Sequence, residues 1–249
     1  MKNKILKTTL IFCFLWSLSC SNEAVVGSKD VQNDTTLAIN AVHLHFAGKY
    51  QESLQNINKT IKNHPHVAEL YFWRAKNLVA LERYDDALKE YTYAILTDSS
   101  YAKYYNNRGL LYRYLGKMDE AEKDLKAALL LNSSMSEVYN NLGLVYSETD
   151  RDSESIHMYN KSIEMNNQMI EYYFNRGISY LNLEKFEKAI KDFDVVLNEG
   201  MQKPLSYLYR GVALYELGEV ERACLDFEES FKLGEKDAAK YVRHCDTIK

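Results

Sequence analysis

Large and small side chains recur along this chain in a fixed order, and the order is helical. In units of 34 residues beginning at Asp34, bulky residues fall at positions 4, 11 and 24, and small ones at positions 8 and 20. Position 8 holds Ala41, Ala75, Gly109, Gly143, Gly177 and Gly211; position 20 holds Ser53, Ala87, Ala121, Ser155, Ala189 and Ala223. Spacings of 4, 8 and 11, then 20, 24 and 27, each trace one face of a helix. The break between them falls near position 15, where Gly48, Gly116 and Gly218 allow a tight turn. Each unit therefore predicts a helical hairpin. Its small residues sit where the two helices cross most closely, and its large ones fill the space beside the crossing.

The frame gives six hairpins, at 34–67, 68–101, 102–135, 136–169, 170–203 and 204–237. Tyr71, Tyr105, Tyr139, Tyr173, Tyr207 and Tyr241 mark the step of 34. Residues 238–249 predict a capping helix, with Ala238, Tyr241, Val242 and Cys245 toward the last repeat and Lys240, Arg243 and Asp246 toward water. The fold expected is all-α, an α-α superhelix (solenoid) of six helical hairpins plus that cap. Asp152 stands where Tyr50, Tyr84 and Phe186 stand in other units, so the fourth hairpin is expected to pack more loosely.

A charge pattern supports the frame. Position 7 is Arg and position 23 acidic in the same four units: Arg74/Glu90, Arg108/Asp124, Arg176/Asp192 and Arg210/Asp226. Where position 7 is Leu142 or Asn40, position 23 is Met158 or Asn56. The co-occurrence predicts pairing within a repeat, between its two helices, as a structural feature.

The two ends differ from the array. Lys2, Lys4 and Lys7 precede an apolar run from about Leu10 to Leu18, too short for the ~20 residues a spanning helix needs. A basic start and a short apolar run read as an export signal over residues 1–20. Ser17 and Ser19 fit ordinary signal cleavage, while Leu18-Ser19-Cys20 resembles the bacterial lipobox, which implies acylation of Cys20 and a membrane anchor. Ser17 occupies the place where the lipobox usually has Leu, and Ser21 replaces the Asp that retains enteric lipoproteins in the inner membrane. The expected location is thus the outer membrane of a bacterial envelope. Residues 21–33, polar and aperiodic, read as a flexible tether.

The formal charge is −4, and −7 without residues 1–20, which hold three lysines and no acid. Phosphate neutralisation is a poor prospect at that charge, so no nucleic-acid partner is expected. His43-x-His45 and His64-x-His66 lack metal-site spacing, and no phosphate loop or nucleophile elbow is present. Asp85-Asp86 and Glu228-Glu229 are adjacent pairs and read as solvated surface. No cofactor, metal or enzymatic activity is expected. Cys224 and Cys245 could join the last repeat to the cap in an oxidising compartment, although position 21 need not face the cap.

The 34-residue unit, with its small, aromatic and alanine positions and His64-Pro65 closing the first unit, resembles the tetratricopeptide repeat family across residues 34–237. The resemblance implies that the first helix of each hairpin lines a concave binding surface through positions 2, 5, 6, 9, 12 and 13. Mapped here, that surface includes Phe72, Trp73 and Lys76, then Asn106, Asn107, Arg113 and Tyr114, then Asn140 and Asn141, then Phe174 and Asn175, then Tyr209 and Tyr215. Asn107, Asn141 and Asn175 would form a row of amides suited to an extended peptide backbone. The family's chaperone-tail clamp is not matched by any three successive units. A non-catalytic scaffold binding a protein or peptide is the function this implies, in plan like the lipoproteins of the family that act in envelope or pilus assembly. The alternative is a small molecule or glycan stacked on Phe72, Trp73, Tyr209 and Tyr215.

Overall fold

The structure, a computed structural model, describes residues 29–200 and 203–246. The export segment, Cys20 and most of the expected tether lie outside them. Among the described residues every regular element is helical: α1 (Lys29–Phe46), α2 (Tyr50–Asn63), α3 (Ala68–Ala80), α4 (Tyr84–Thr97), α5 (Ala102–Tyr114), α6 (Met118–Leu131), α7 (Ser136–Glu148), α8 (Asp152–Met165), α9 (Ile170–Asn182), α10 (Phe186–Asn198), α11 (Lys203–Glu216), α12 (Val220–Lys232), a 3-10 turn (Lys236–Ala238) and α13 (Ala239–Asp246). The chain divides after Ser99 into two compact units. The first holds hairpins α1/α2 and α3/α4; the second holds α5/α6, α7/α8, α9/α10, α11/α12 and the cap. Helix α1 begins five residues before the repeat frame, into the stretch read as tether, where neither glycine nor proline interrupts it.

The small positions are small because a neighbour occupies the missing volume. A Cβ on Gly143 would lie 2.5 Å from Tyr159 Cε1, one on Gly211 2.7 Å from Phe227 Cε1, and one on Gly177 2.8 Å from Phe193 Cε1. Those three rings are fully buried. Gly109 faces Leu125 at a more tolerant 3.1 Å. In the first unit the crossing is sealed differently, by a hydrogen bond from Ser53 Oγ to the Ala41 carbonyl at 2.9 Å.

All six hairpin turns share one geometry. Position 15 is left-handed in each, at Gly48, Gly116 and Gly218 (φ +72°, +74° and +81°) and equally at Glu82, Asp150 and Glu184 (φ +59°, +60° and +57°). The next N–H then reaches back to the carbonyl of position 11, as in Lys49 N to Leu44 O at 2.9 Å and Arg151 N to Tyr146 O at 2.8 Å. This closes the first helix with its orphan carbonyls satisfied. Three acidic residues thus accept a conformation that costs a side chain about 1–2 kcal/mol.

The fourth hairpin is not loose. Asp152 is 8% exposed. Its Oδ1 accepts from Ser147 Oγ at 3.3 Å and from Asn182 Nδ2 at 3.2 Å. Ser155 and Ser179 hydroxyls meet at 2.7 Å, and Ser179 reaches Ser147 at 3.4 Å. Hydroxyls and an amide from three helices fill the room an aromatic ring takes elsewhere.

At the C-terminus Cys224 and Cys245 form a disulfide, with Cα atoms 5.8 Å apart. Tyr241 stacks on Phe227 at 4.6 Å, and Ala238 and Cys245 are buried against the last hairpin.

Candidate functional site

The first-helix face of residues 29–99 is aromatic. Trp73 of α3 is 4% exposed and packs edge-on against Phe46 of α1 (5.9 Å), His45 (5.4 Å) and Phe72 (5.6 Å). Its Nε1 donates to Glu69 Oε1 at 2.7 Å. The Lys76 ammonium lies 4.3 Å from the Trp73 centroid and within 6 Å of Phe46 and Phe72. His45 Nδ1–H donates to Asn77 Oδ1 at 3.0 Å, and burial lowers the histidine pKa against that hydrogen bond. Phe46, 58% exposed, forms the outer edge of the group. It was not singled out from the sequence, although position 13 of the first unit is a face position.

The second unit shows a different face. Asn141 Nδ2 donates to Asn106 Oδ1 at 2.9 Å, and Asn175 Nδ2 to Asn140 Oδ1 at 3.0 Å. Asn107 instead donates to its own helix, at the Lys103 carbonyl. The row expected from Asn107, Asn141 and Asn175 is thus replaced by two buried amide pairs between neighbouring first helices. The pairs join residues 35 apart, as does the ion pair of Arg113 Nη1 with Glu148 Oε1 at 2.5 Å. Successive first helices are offset by one residue, so position 5 of one meets position 6 of the next.

The amides of Asn140 and Asn175 and the charge of Arg113 each favour the ionised form of Glu171, at position 2 of α9. Burial outweighs those three influences and raises its pKa. Burial likewise raises Glu148 against the pull of Arg113, and Asp152 against the hydrogen bonds of Asn182, Ser179 and Ser147. Glu171 escaped the sequence reading, and Asp152 was read there only as a missing ring. The signal for Glu171 was available only as a charge imbalance at face positions, which a residue-by-residue mapping does not sum.

The remaining face residues divide by exposure. Phe174 and Tyr209 are buried against one another (5.9 Å), and Tyr209 is also near Phe193 (6.0 Å). With Phe72 and Trp73 buried as well, these rings offer little stacking surface to a sugar. Tyr114, 41% exposed, and Tyr215 reach solvent, and Tyr215 Oη lies 2.9 Å from His244 Nε2 of the cap.

The arginine pairs span the two helices of a repeat. Arg108, Arg176 and Arg210 grip Asp124, Asp192 and Asp226 through Nε and Nη2 at 2.7–2.8 Å. Arg74 reaches Glu90 through Nη2 alone, at 2.5 Å. A further contact was not foreseen: Nη1 of Arg74, Arg176 and Arg210 donates to Asn58, Asn160 and Asp194, at position 25 of the preceding repeat. One guanidinium thereby ties three helices. Among the described residues no group of three or more His, Cys, Asp or Glu could hold a metal ion, and no helix is long and apolar enough to cross a membrane.

Comparison with known proteins places this architecture. No curated protein matches the chain. Among solved structures, one described as a functional characterisation of PilF from Pseudomonas aeruginosa is similar, with a TM-score of 0.77, 18% identity, and coverage of 87% of this chain and 100% of that one. YrrB, described as a TPR protein with an unusual peptide-binding site, is similar over 76% of this chain and 97% of its own, with a TM-score of 0.65 and 20% identity. A tetratricopeptide repeat protein from Parabacteroides merdae matches with a TM-score of 0.60 and 23% identity, over 86% of this chain and 84% of that one. At such identities these likenesses concern the fold. Sequence models of the tetratricopeptide repeat match residues 43–103, 100–168 and 174–238, and the chain belongs to the tetratricopeptide repeat family.

Proposed function

We propose that this chain is an exported, non-catalytic adaptor, tethered to a bacterial outer membrane through Cys20, that holds a segment of a protein partner on the first-helix face of its second unit. Proteins of this fold serve in general as protein-interaction scaffolds. The observation that carries the reading is the chemistry of that face. Arg113, Glu148 and Glu171 place charge, and four asparagines place amides, at positions where apolar side chains would join neighbouring helices equally well. YrrB, whose description names a peptide-binding site, supports binding of a peptide by this fold. PilF supports comparison with proteins of a bacterial cell. For export, the basic start, the short apolar run and Cys20 are joined by the Cys224–Cys245 disulfide, a bond that persists in oxidising compartments.

Two measurements test the two halves. Labelled palmitate should enter the wild-type chain in its native host and fail to enter Cys20→Ser, which should leave the membrane fraction; label in both removes the tether. Chemical cross-linking in intact cells should yield a defined protein adduct that Tyr114→Ala and Asn107→Ala reduce together. An adduct indifferent to both substitutions moves the binding surface elsewhere.

A further inference from the structure

The face around α5, α7 and α9 is short of positive charge. Glu148, Asp152 and Glu171 all bear electrostatically on the buried hydroxyl of Tyr159, and among the described residues the cation acting there is Arg113. Arg113 is committed to Glu148 at 2.5 Å. Among the described residues neither Glu171 nor Asp152 forms an ion pair; both rely on amide and hydroxyl donors. Removing a carboxylate from water without a counter-ion is costly, and amide donors offset only part of it. Burial accordingly raises the pKa of Glu171 and of Asp152.

A second, independent deficit lies beside the first. The Arg113 side chain is 10% exposed, and its Nε finds no hydrogen-bond acceptor. A ligand that completes this site brings a cation for Glu171 and an acceptor for Arg113. An inorganic cation has no acceptor to give, and a polyanion brings the wrong charge to the carboxylates. A peptide carries both, an ammonium or guanidinium on a side chain and carbonyls along its backbone.

Resting on the adaptor reading above, we propose that the first-helix face of α5, α7 and α9 selects a basic segment of its partner, with a lysine or arginine side chain paired to Glu171 and a main-chain carbonyl presented to Arg113. Charge complementarity favours this occupant over an acidic tail.

The test uses the full chain and two fluorescein-labelled ten-residue peptides, one alternating lysine with alanine and the other glutamate with alanine. Fluorescence anisotropy at low ionic strength should show the lysine peptide binding and the glutamate peptide not binding. Glu171→Gln keeps the size of the side chain and one carbonyl acceptor, so it should fold as the wild type does by circular dichroism. It should weaken the lysine peptide about tenfold, a change of about 1.4 kcal/mol. Glu187→Gln removes the same charge from an exposed position on α10 and should change affinity less than twofold. Glu171→Lys should abolish binding. Equal weakening by Glu171→Gln and Glu187→Gln would mean attraction to overall negative charge and would overturn the proposal, as would absence of binding or preference for the glutamate peptide. In any of those cases a cross-linked adduct that still depends on Tyr114 and Asn107 leaves the adaptor reading standing with a partner of other chemistry.

Discussion

The two units of this chain build the same hairpins and give their first helices opposite chemistry. Before Ser99 the inter-helix space at positions 5, 6, 9 and 13 is filled by Phe46, Phe72, Trp73 and the stem of Lys76. After Ser99 the first helices α5, α7 and α9 are joined instead by the Asn106–Asn141 and Asn140–Asn175 pairs and carry the Arg113–Glu148–Glu171 group, and rings return only between α9 and α11, at Phe174 and Tyr209. Ring edges and amide pairs bridge similar gaps between first helices, so the backbone is indifferent to which is used. Repeat identity therefore lives in positions 8, 20 and 24, while the face is free to vary.

The contrast can be broken most forcefully at Trp73. Trp73→Ala removes the centre of the aromatic face and should destabilise the chain by about 3–5 kcal/mol in denaturant unfolding, the range for large-to-small core changes. A loss below about 1 kcal/mol would mean that the rings are surface ornament and that both faces are open. On the polar side, Asn141→Ala strands the Asn106 carbonyl in a buried site and should cost about 1–3 kcal/mol by the same measurement.

The hairpin crossing gives a smaller, paired test. Position 8 is Ala75 in the first unit and Gly143 in the second, each in a repeat with a buried tyrosine at position 24. Gly143→Ala pushes a methyl into Tyr159; overpacking of about 1–3 kcal/mol is partly offset by the ~1 kcal/mol gain in helix propensity. Ala75→Gly should lose about 1 kcal/mol through propensity. Calorimetry that finds Gly143→Ala stabilising would mean that the two crossings do not differ.

The smallest effect is in pH. A carboxyl whose folded-state pKa lies above its unfolded value binds its proton earlier when folded, so its contribution favours folding at low pH and is lost as pH rises through that window. Asp152 is such a group: its burial outweighs its three hydrogen bonds, and Asp150 adds repulsion. Asp152→Asn should melt above the wild type at neutral pH, with the gap narrowing as pH falls and closing near the ordinary aspartate value of about 4. A gap independent of pH would assign the effect to packing.

The frame of the fold was legible because bulk and smallness repeat at one interval, and a packing requirement that recurs leaves a statistical mark. The turn was half legible: glycine announced it at Gly48, Gly116 and Gly218, whereas Glu82, Asp150 and Glu184 adopt the same left-handed conformation under the control of a backbone hydrogen bond. Face positions were legible as positions and not as contacts. Alignment at a step of 34 set Asn107, Asn141 and Asn175 in a row, but the helices meet at a step of 35, so Asn106 and Asn140 became the partners. Asp152 looked like a hole because its donors, Ser147, Ser179 and Asn182, come from helices that only folding brings together.

The cystine between Cys224 and Cys245 gives this array one end that cannot fray. In a stack held by nearest-neighbour terms, unzipping normally starts at either terminus. Here most of α12 and the cap form a loop closed between Cys224 and Cys245, so they lose register only together. Under oxidising conditions the slowest-exchanging amides should then cluster near Phe227, and a reductant should shift the weak point to that same end.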